Sequence, residues 1–550
     1  MSLRADLTRA VGDARDRAIS AGDLIVPEGV ELPAIGLERP AKVEHGDWAS
    51  NAAMQLAPIA RSAPMRIAET LVAHLDRPAS IADVSVAPPG FLNLRLDPAW
   101  VAAQVASIRD SGMTYGRKTV LQPRQINVEF VSANPTGPLH VGNARGAFVG
   151  DVLSRVLAAV GHQVGREYYF NDFGAQVRNL GLSVLARRNG TELPEDGYRG
   201  AYVEDLATEL PADLLDQAEQ RPDEAGRIIG AWATERVRAG IEASLSRLGV
   251  HFDVWKEESS LHDGGWVERA VAKLHEGGHV HEADGATWFR STAFGDDKDR
   301  VIYRSNGLPT YFASDIGYVT EKLSRGFDEL IYIWGADHHG TVARVRNAAT
   351  AMGFDREAVR MLLIAWVRFV RDGVEIPMSK RSGEFITLDD VLDEVGVDAA
   401  RWYFSSRAYT TGIDFDLELA KKQSNENPVY YVQYAHARAS SILRHGADVG
   451  AQPDAARAAD LLRHPAEQGL LRHLLEFPDS VSMAAERRET HEVPRYCYEL
   501  ASAFSAFYRD CKVLTEDAEL SSARLALVDA TRSVLANGLD LLGISAPDSM

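Results

Sequence analysis

The sequence has very little cysteine and no long apolar segment. Cys497 and Cys511 are the two cysteines among 550 residues, which supports neither a disulfide framework nor a cysteine-based zinc site. No apolar run approaches the roughly 20 residues that a membrane-spanning helix needs. The N-terminal stretch lacks the continuous apolar core of a secretory signal. We therefore expect a soluble protein of a reducing compartment, located in the cytoplasm.

The chain is also short of positive charge. It has 59 lysine and arginine residues against 78 aspartate and glutamate residues, a formal net charge of −19. General nucleic-acid binders usually gain affinity from an excess of basic residues that face phosphates. The excess of acidic residues argues against a general nucleic-acid binder, although net charge does not exclude a single groove that binds nucleic acid specifically. Any nucleic acid is expected to meet a local basic surface.

The length and the order of local patterns indicate three domains. Residues 1–112 mix helical stretches with a strand-like run, which predicts a small α+β domain, and the segment before Tyr115 resembles a connector. Residues 113–416 alternate β-prone runs with amphipathic helices, as a parallel α/β sheet does. Within them, residues 183–292 are acidic and helical and predict an insertion. Over residues 417–550 the strand signals disappear, which predicts an all-α bundle.

A strand–turn–helix pattern carries the strongest local signal. Turn residues end the β-prone run 126–131, and the helix that follows keeps its apolar residues on one face. Between them lies Pro138-Leu-His-Val-Gly-Asn143. His140 can donate to a phosphate oxygen, Gly142 leaves room for an adenine, and the start of a helix presents unpaired N–H groups. A His-x-Gly pattern by itself is more often a turn with a solvent-facing histidine.

A second, basic segment changes that balance. Residues 378–383 read Met-Ser-Lys-Arg-Ser-Gly and follow a β-prone run that ends near Val370. A loop with adjacent Lys380 and Arg381 can neutralise the charge on a departing pyrophosphate, which stabilises a transition state. Such a loop alone is commonly a solvated basic turn. Neither segment alone indicates a nucleotide site, but their occurrence together and in this order does.

The two segments resemble the HIGH and KMSKS motifs of class I aminoacyl-tRNA synthetases. The surrounding sequence is similar to arginyl-tRNA synthetases over nearly the whole chain. The similar blocks are residues 45–51, 129–143, 171–176, 311–318, 335–340 and 427–438. The resemblance implies a Rossmann-like parallel-sheet catalytic domain with an insertion, an N-terminal α+β domain that contacts tRNA, and a C-terminal helical anticodon-binding domain.

The resemblance also implies a reaction. ATP activates L-arginine to arginyl-adenylate, and the arginyl group then passes to the 3′-terminal adenosine of tRNA(Arg), with release of AMP and pyrophosphate. ATP is expected as a substrate that carries Mg²⁺ on its phosphates. No structural metal is expected, because the adjacent histidines at 338 and 339 cannot easily reach one ion and no cysteine cluster supplies the other ligands. We expect a monomer.

Two positions depart from the motif names. Asn143 stands where HIGH has its last histidine, and its amide can still hydrogen-bond a nucleotide. Pro377 stands where KMSKS has its first lysine, and Arg381 replaces the last serine. Catalysis is therefore expected from His140, Asn143 and, above all, Lys380.

The resemblance assigns further roles to individual positions. A guanidinium is planar and permanently charged, so a selective pocket should offer carboxylates and a hydroxyl. Glu129, Tyr311 and Asp315 match positions that contact it, and the last two share a face if their backbone is helical. Ser132 and Asn134 match the α-ammonium end. The residues expected at the ATP site are His140, Gly142, Asn143, Asp337, His338, Met378, Ser379 and Lys380.

The anticodon-binding surface is expected near the start of the C-terminal bundle. Tyr430, Tyr434 and Arg438, with Tyr431 and His436 beside them, supply aromatic and hydrogen-bonding groups that suit unstacked bases. At least two of the three tyrosines are expected to pack between helices instead.

Three other functions remain to be compared with this one. A class I synthetase for glutamate or cysteine would need a cationic or thiol-sensing pocket rather than carboxylates. A small-molecule nucleotidylyltransferase shares the His-x-Gly-x pattern but does not account for the helical C-terminal region. A non-catalytic paralogue that only binds RNA is expected to have lost His140 or Lys380, and both are present.

Overall fold

A computed structural model describes residues 3–40, 42–376 and 386–550. Along the chain it contains an N-terminal α+β unit, a unit built on a parallel sheet, and a C-terminal helical unit. This is the fold class expected from the sequence. None of the helices in the described part has the length and apolar character that crossing a membrane requires.

The N-terminal unit is built on a four-stranded antiparallel sheet of order β1-β2-β4-β3. Its elements are α1 (Leu3–Ser20), β1 (Leu37–Glu38), β2 (Trp48–Ser50), α2 (Ala52–Ala60), α3 (Pro64–Ala73), β3 (Ile81–Ala87), β4 (Phe91–Leu96) and α4 (Pro98–Ser111). The segment before Tyr115, expected to be a connector, is largely the helix α4. Asp97 begins this helix by accepting from the backbone N–H of Trp100 at 2.7 Å, and Pro98 occupies its first turn.

The central sheet is fully parallel and has the strand order β12-β11-β5-β6-β7. Its strands are β5 (Gln125–Glu129), β6 (Gln163–Phe170), β7 (Val254–Glu257), β11 (Glu329–Gly335) and β12 (Val359–Ile364). The parallel α/β architecture expected from alternating strands and helices is confirmed. In such sheets ligands bind beyond the carboxyl ends of the strands, where the strand order reverses. Here the order reverses beside β5.

Helix α5 (Val141–Val160) follows β5 and lies against the sheet. Its apolar face, at positions 149, 152, 153, 156, 157 and 160, is completely buried, as the spacing predicts, and Gly161 ends the helix with φ of 114°. A Cβ at Gly150 would lie 2.2 Å from the Phe130 ring. The glycine therefore lets the helix approach the chain that continues from β5.

The segment 183–292 contains more than the expected helices. It includes most of α6 (Ala175–Asn189), α7 (Ala201–Glu209), α8 (Ala212–Gln220) and α9 (Ala225–Arg247), but β7 then pairs with β6. The expectation that the insertion is helical throughout is therefore wrong beyond Arg247. The acidic composition hid a short strand whose Trp255 stacks on Tyr168 with ring centroids 4.3 Å apart.

Two smaller sheets and several helices complete this unit. After β7 come α10 (Ser259–Asp263), α11 (Trp266–Glu276), β8 (Val280–Ala283), β9 (Ala286–Phe289), β10 (Arg300–Tyr303), α12 (Tyr311–Ser324) and α13 (His339–Ala351). Beyond β12 come β13 (Val367–Arg371), β14 (Val374–Ile376), α14 (Leu388–Val395), α15 (Val397–Ser405) and β15 (Ile413–Asp416). Strands β8 to β10 form one sheet, and β13 to β15 form the other.

The C-terminal unit is helical, as expected, and residues 417–550 are all described. It consists of α16 (Leu417–Lys421), α17 (Pro428–Asp448), α18 (Ala458–Leu461), α19 (Pro465–Arg487), α20 (Glu492–Asp510) and α21 (Ala518–Leu542). Buried Arg401 joins it to the central unit. Its guanidinium donates to Asp151 of α5 at 2.8 Å and to the Leu542 carbonyl at the end of α21 at 2.9 Å.

Candidate active site

A cavity of about 1310 Å³ lies beyond the carboxyl ends of β5, β11 and β12. We call it the main cavity. It is lined by residues 131–134, 136–140, 142, 143, 146, 197–202, 333–338, 364–367, 387 and 390. The first signature segment, including His140, Gly142 and Asn143, therefore faces it, as do Ser132, Asn134, Asp337 and His338. Its position at the reversal of strand order is the usual one for a ligand in a parallel sheet.

His140 caps helix α5 and turns its ring toward the helix. Its Nδ1 accepts from the Gly142 N–H at 3.1 Å, and the Asn143 side chain accepts from the His140 N–H at 3.2 Å. Desolvation lowers the pKa of His140. Because Nδ1 is an acceptor, the neutral ring carries its proton on Nε2. The ring is thus a donor at Nε2.

The start of α5 differs from the expectation of unpaired N–H groups. The Val141 N–H donates to the Ile386 carbonyl at 3.3 Å, the Gly142 N–H to His140 Nδ1, and the Asn143 N–H to the His140 carbonyl at 2.9 Å. These donors are engaged within the protein. An anion here would interact with the helix dipole and with side chains rather than with these three N–H groups.

The second signature segment joins the main cavity through its C-terminal flank. Residues Met378, Ser379 and Lys380, with Pro377 and Arg381, lie outside the described residues. The chain before them ends in strand β14, and the chain after them forms a bridge between Thr387 and His140. The Leu388 N–H also donates to the Leu139 carbonyl at 2.9 Å. Residues 387 and 388, which follow the second signature segment, are therefore held beside the first signature segment by backbone hydrogen bonds.

Three carboxylates from different elements form what we call the acidic pocket: Glu129, Glu258 and Asp315. Burial, followed by the charges of Glu129 and Glu258, raises the pKa of Asp315 to about 7. Burial, followed by the charges of Glu258 and Asp315, raises the pKa of the Tyr169 hydroxyl, which hydrogen-bonds Glu258. Burial also raises the pKa of Glu258, which the hydroxyls of Tyr169 and Ser314 partly offset. Such a site favours a cation that can satisfy several carboxylates.

The three residues predicted to contact the guanidinium differ in exposure and in hydrogen bonding. Tyr311 and Asp315 lie in the first two turns of α12, so the helix that would give them one face is confirmed. Tyr311 is 73% exposed. Glu129 is buried and accepts at 2.5 Å from the buried Lys322, so it does not present an unpaired carboxylate. None of Glu129, Tyr311 and Asp315 lines the main cavity.

Glu258 and Lys322 were not found from the sequence. Glu258 directly follows β7, and an acidic residue after a strand of a parallel sheet is a usable signal, but the strand itself was hidden in the segment read as helical. Lys322 is the one basic residue of α12. Only its burial beside Glu129 separates it from a surface lysine.

A strained turn links the acidic pocket to the main cavity. Val131 and Ser132 both have left-handed backbone, with φ of 67° and 40°, which is costly for a β-branched residue such as valine. The Ser132 hydroxyl donates to Glu129 at 3.3 Å and accepts from the Tyr169 N–H at 3.0 Å. Ser132 itself lines the main cavity, and Asn134 is exposed there. The two sites are therefore neighbours.

Potential metal ligands occur away from the main cavity. In the described ranges, one group of three donors comes within reach of a single ion: Glu489, His491 and Glu492, at the start of α20. Glu492 is paired with Arg495 there. Asp337 and His338 are largely exposed at the rim of the main cavity, with 3.6 Å between His338 Nε2 and Asp337 Oδ2. Neither set gives a reason to assign a protein-bound metal.

The aromatic residues of α17 divide into two groups. Tyr430 and Tyr434 stack with centroids 6.2 Å apart, and the Arg438 guanidinium lies 4.6 Å from the Tyr434 centroid. Tyr431 packs between helices, as expected for some of these tyrosines, and donates to Ser505 at 3.0 Å. His436 is buried and hydrogen-bonded to the Pro547 carbonyl at 2.9 Å, so the expectation that it contacts a base is wrong.

Comparison with known protein families covers almost the whole chain. Residues 2–96 match the family described as arginyl tRNA synthetase N terminal domain. Residues 104–195 and 226–406 match the tRNA synthetases class I (R) catalytic domain, and residues 432–550 match the DALR anticodon binding domain. The chain is similar to the arginine–tRNA ligase of Carboxydothermus hydrogenoformans, at 45% identity over 98% of both chains. With the arginine–tRNA ligase of Desulforudis audaxviator it shares 46% identity, over 100% of this chain and 99% of the relative.

Solved structures agree with this. Arginyl-tRNA synthetase of Thermus thermophilus superposes with a TM-score of 0.81 at 25% identity, and the alignment covers all of both chains. Arginyl-tRNA synthetase of Plasmodium falciparum superposes with a TM-score of 0.78 at 15% identity, over 100% of this chain and 99% of the other, which supports the fold.

Proposed function

The chain belongs to the arginyl-tRNA synthetase family, and we propose that the main cavity binds ATP while the adjoining acidic pocket binds the side chain of arginine. The protein is an arginine–tRNA ligase that uses ATP, arginine and tRNA as substrates. One observation carries the residue assignment: the turn 131–134 faces the main cavity and is hydrogen-bonded to Glu129 of the acidic pocket.

The chemistry follows from this adjacency. An arginine whose guanidinium lies among Asp315, Glu258 and Glu129 extends its α-ammonium end toward the turn at Ser132 and Asn134, which leaves its carboxylate facing the main cavity. Its carboxylate then attacks the α-phosphorus of an ATP in the main cavity, which gives arginyl-adenylate and pyrophosphate. The terminal ribose of the tRNA next attacks the activated carbonyl. No protein nucleophile is needed, so the acceleration comes from positioning and from charge stabilisation.

Each side chain has a role suited to its surroundings. His140 donates from Nε2 to a phosphate oxygen, and Asn143 keeps the His140 backbone in place through the helix cap. Asp337 and His338 border the nucleotide. Mg²⁺ is carried on the phosphates, since hard cations prefer phosphate and water oxygens, and no protein ligand is assigned to it. We further propose that the enzyme acts as a monomer in the cytoplasm, where its tRNA substrate is used.

The activity is tested by ATP–pyrophosphate exchange with each of the twenty amino acids, with and without tRNA. Exchange that depends on arginine supports the assignment of the pocket. Exchange with another amino acid at equal efficiency contradicts it.

Gly142→Ala is expected to slow exchange by roughly 10-fold, because small misplacements of reacting groups reduce rates strongly. A Cβ at Gly142 would lie 2.8 Å from Cε1 and 2.9 Å from Nδ1 of His140, so the ring must move. Gly240→Ala in α9 is the matched control, since nothing lies within 4 Å of its Cβ and alanine favours a helix. Equal rates for the two variants would rule out His140 as a positioned donor.

We propose that the stacked pair Tyr430 and Tyr434, with Arg438, contacts the anticodon loop. Stacking of a base on an aromatic ring contributes about 1–3 kcal/mol. Tyr434→Ala is therefore expected to weaken tRNA binding by roughly fivefold, at the low end of that range, because the ring is partly buried. Point substitution is preferable to deletion of the bundle, since Arg401 ties the bundle to α5.

Binding is measured at fixed salt with the cognate tRNA. Tyr431→Phe is the matched control on the same helix, because it removes only the hydroxyl that donates to Ser505. If Tyr434→Ala binds tRNA as tightly as this control does, the stacked pair is not part of the tRNA surface.

A further inference from the structure

The block Asn171-Asp-Phe-Gly-Ala-Gln176 has no role in the reaction as described so far. It follows β6 directly and leads into α6. The residue after the neighbouring strand β7 is Glu258, which belongs to the acidic pocket. The two strand ends lie side by side, because β6 and β7 are paired up to Phe170 and Glu257.

The two strand ends are joined by a shared set of hydrogen bonds. The Phe170 carbonyl accepts from the Asp172 N–H and from the Glu258 N–H, both at 3.0 Å. Asp172 Oδ1 accepts from the Ser259 N–H at 2.9 Å, and Asp172 Oδ2 accepts from the Ser259 hydroxyl at 2.5 Å. The carboxylate of Asp172 is thus bound twice by the residue that follows Glu258. We call these contacts the Asp172–Ser259 clamp.

The carboxylate of Glu258 has partners on other elements. The residue is 6% exposed, the hydroxyls of Tyr169 and Ser314 face it, and His262 Nε2 lies 3.9 Å from Oε1. The His262 ring in turn stacks loosely on Phe173, with centroids 5.2 Å apart. Apart from Tyr169, these partners lie on α10 and α12, whereas the clamp fixes the backbone on the C-terminal side of Glu258 and the Phe170 carbonyl accepts from the Glu258 N–H. The backbone from which the Glu258 carboxylate reaches these partners is therefore held in part by Asp172.

We propose that Asp172 is a positioning residue for arginine recognition, which acts through Ser259 to hold Glu258 in the orientation that meets the guanidinium. This inference rests on the proposed function of the acidic pocket. A carboxylate that must pair with a planar, bidentate donor loses much of its affinity when its angle changes. Asp172 itself does not touch the substrate in this arrangement. Loss of Asp172 should therefore weaken the binding of arginine and leave the binding of ATP unchanged.

The test separates geometry from charge with four variants of the full-length enzyme. Asp172→Ala removes the clamp, Asp172→Asn removes the charge but keeps an acceptor for the Ser259 N–H, Ser259→Ala removes only the hydroxyl bond, and Ser259→Thr keeps it. Pyrophosphate exchange in the presence of tRNA gives kcat and the KM for arginine and for ATP. Asp355→Ala is the control for the loss of a carboxylate that accepts a backbone N–H, since Asp355 accepts from the Glu357 N–H at 2.9 Å within its own turn.

Asp172→Ala is expected to raise the KM for arginine roughly 10-fold, the loss typical of a hydrogen bond to a charged group. The KM for ATP should stay unchanged and kcat should fall less than the KM for arginine rises. Ser259→Ala should raise the KM for arginine by a smaller factor, and Ser259→Thr should keep the KM close to that of the wild type. The Asp172→Ala/Ser259→Ala double variant should have the same KM as Asp172→Ala alone.

Other outcomes overturn the proposal. Normal arginine KM in Asp172→Ala, an equal rise in both KM values, or fully additive substitutions each exclude a clamp that acts through Ser259. A defect in Asp172→Asn with none in Ser259→Ala would mean that only the charge matters. If the wild-type enzyme shows no arginine-dependent exchange, the proposed function of the pocket fails instead, independently of the variants.

Discussion

Lys380→Ala is expected to lower the rate of adenylate formation by ~10²–10³, the usual cost of removing one group that stabilises transition-state charge. The physical reason is that negative charge builds on the pyrophosphate as it departs, and the ammonium interacts with that charge more strongly than with bound ATP. Lys380 is in the undescribed stretch, but residues 386–388 after it are bonded to residues 139–141 at the main cavity. The described chain therefore resumes after Lys380 beside the helix start where the phosphates would lie.

The rate of adenylate formation is measured in a single turnover with saturating arginine and ATP. The KM for arginine should change little, because Lys380 is proposed to act on the departing pyrophosphate and the acidic pocket is proposed to bind the guanidinium. Lys421→Ala provides the matched control, since this lysine is already paired with Glu418 and Glu394 on the surface. Poor arginine binding together with normal turnover in Lys380→Ala would falsify the assigned role.

Asp315→Asn is expected to raise the KM for arginine by roughly 30-fold or more, because breaking a partly buried charge pair costs on the order of 2–5 kcal/mol. Discrimination against citrulline, the neutral analogue, should relax in the same variant. Steady-state pyrophosphate exchange with arginine and with citrulline gives the ratio of their kcat/KM values, which measures this discrimination. Unchanged discrimination would place the guanidinium away from Asp315.

The same carboxyl predicts a pH dependence. Its pKa of about 7 in the folded protein, against an ordinary value of 3.8, means that Asp315 takes up a proton as the pH falls through 7. The KM for arginine of the wild type should therefore rise below about pH 7, and this rise should be absent in Asp315→Asn. An identical pH profile in both proteins would contradict this role for Asp315.

The raised pKa also affects stability, and the sign can be worked out. Between pH 3.8 and about 7 the unfolded chain binds fewer protons at this carboxyl than the folded chain does, so its contribution to folding becomes less favourable as the pH rises. At pH 8 without arginine, Asp315→Asn is thus expected to melt at a higher temperature than the wild type. The variant would gain stability while it loses substrate affinity.

Local pattern was sufficient for much of the fold. The buried face of α5, the cap at Gly161 and the parallel sheet follow from spacing and from turn residues, since these depend on neighbours along the chain. Strand β7 was missed, because four residues in an acidic surrounding give too little periodicity. In the folded protein it pairs with β6, and its Trp255 packs on Tyr168.

Part of the candidate site could likewise be predicted from local sequence patterns, and part could not. The sequence by itself determined the two signature segments, their order, and the candidates His140, Asp315 and Tyr311, because each lies in a contiguous block with its own residue pattern. The tertiary structure decided which charges meet. It brought Glu258 beside Asp315, paired Glu129 with Lys322 and buried His436. Those contacts join residues far apart in the chain, and they depend on strand order and helix packing, which no local pattern encodes.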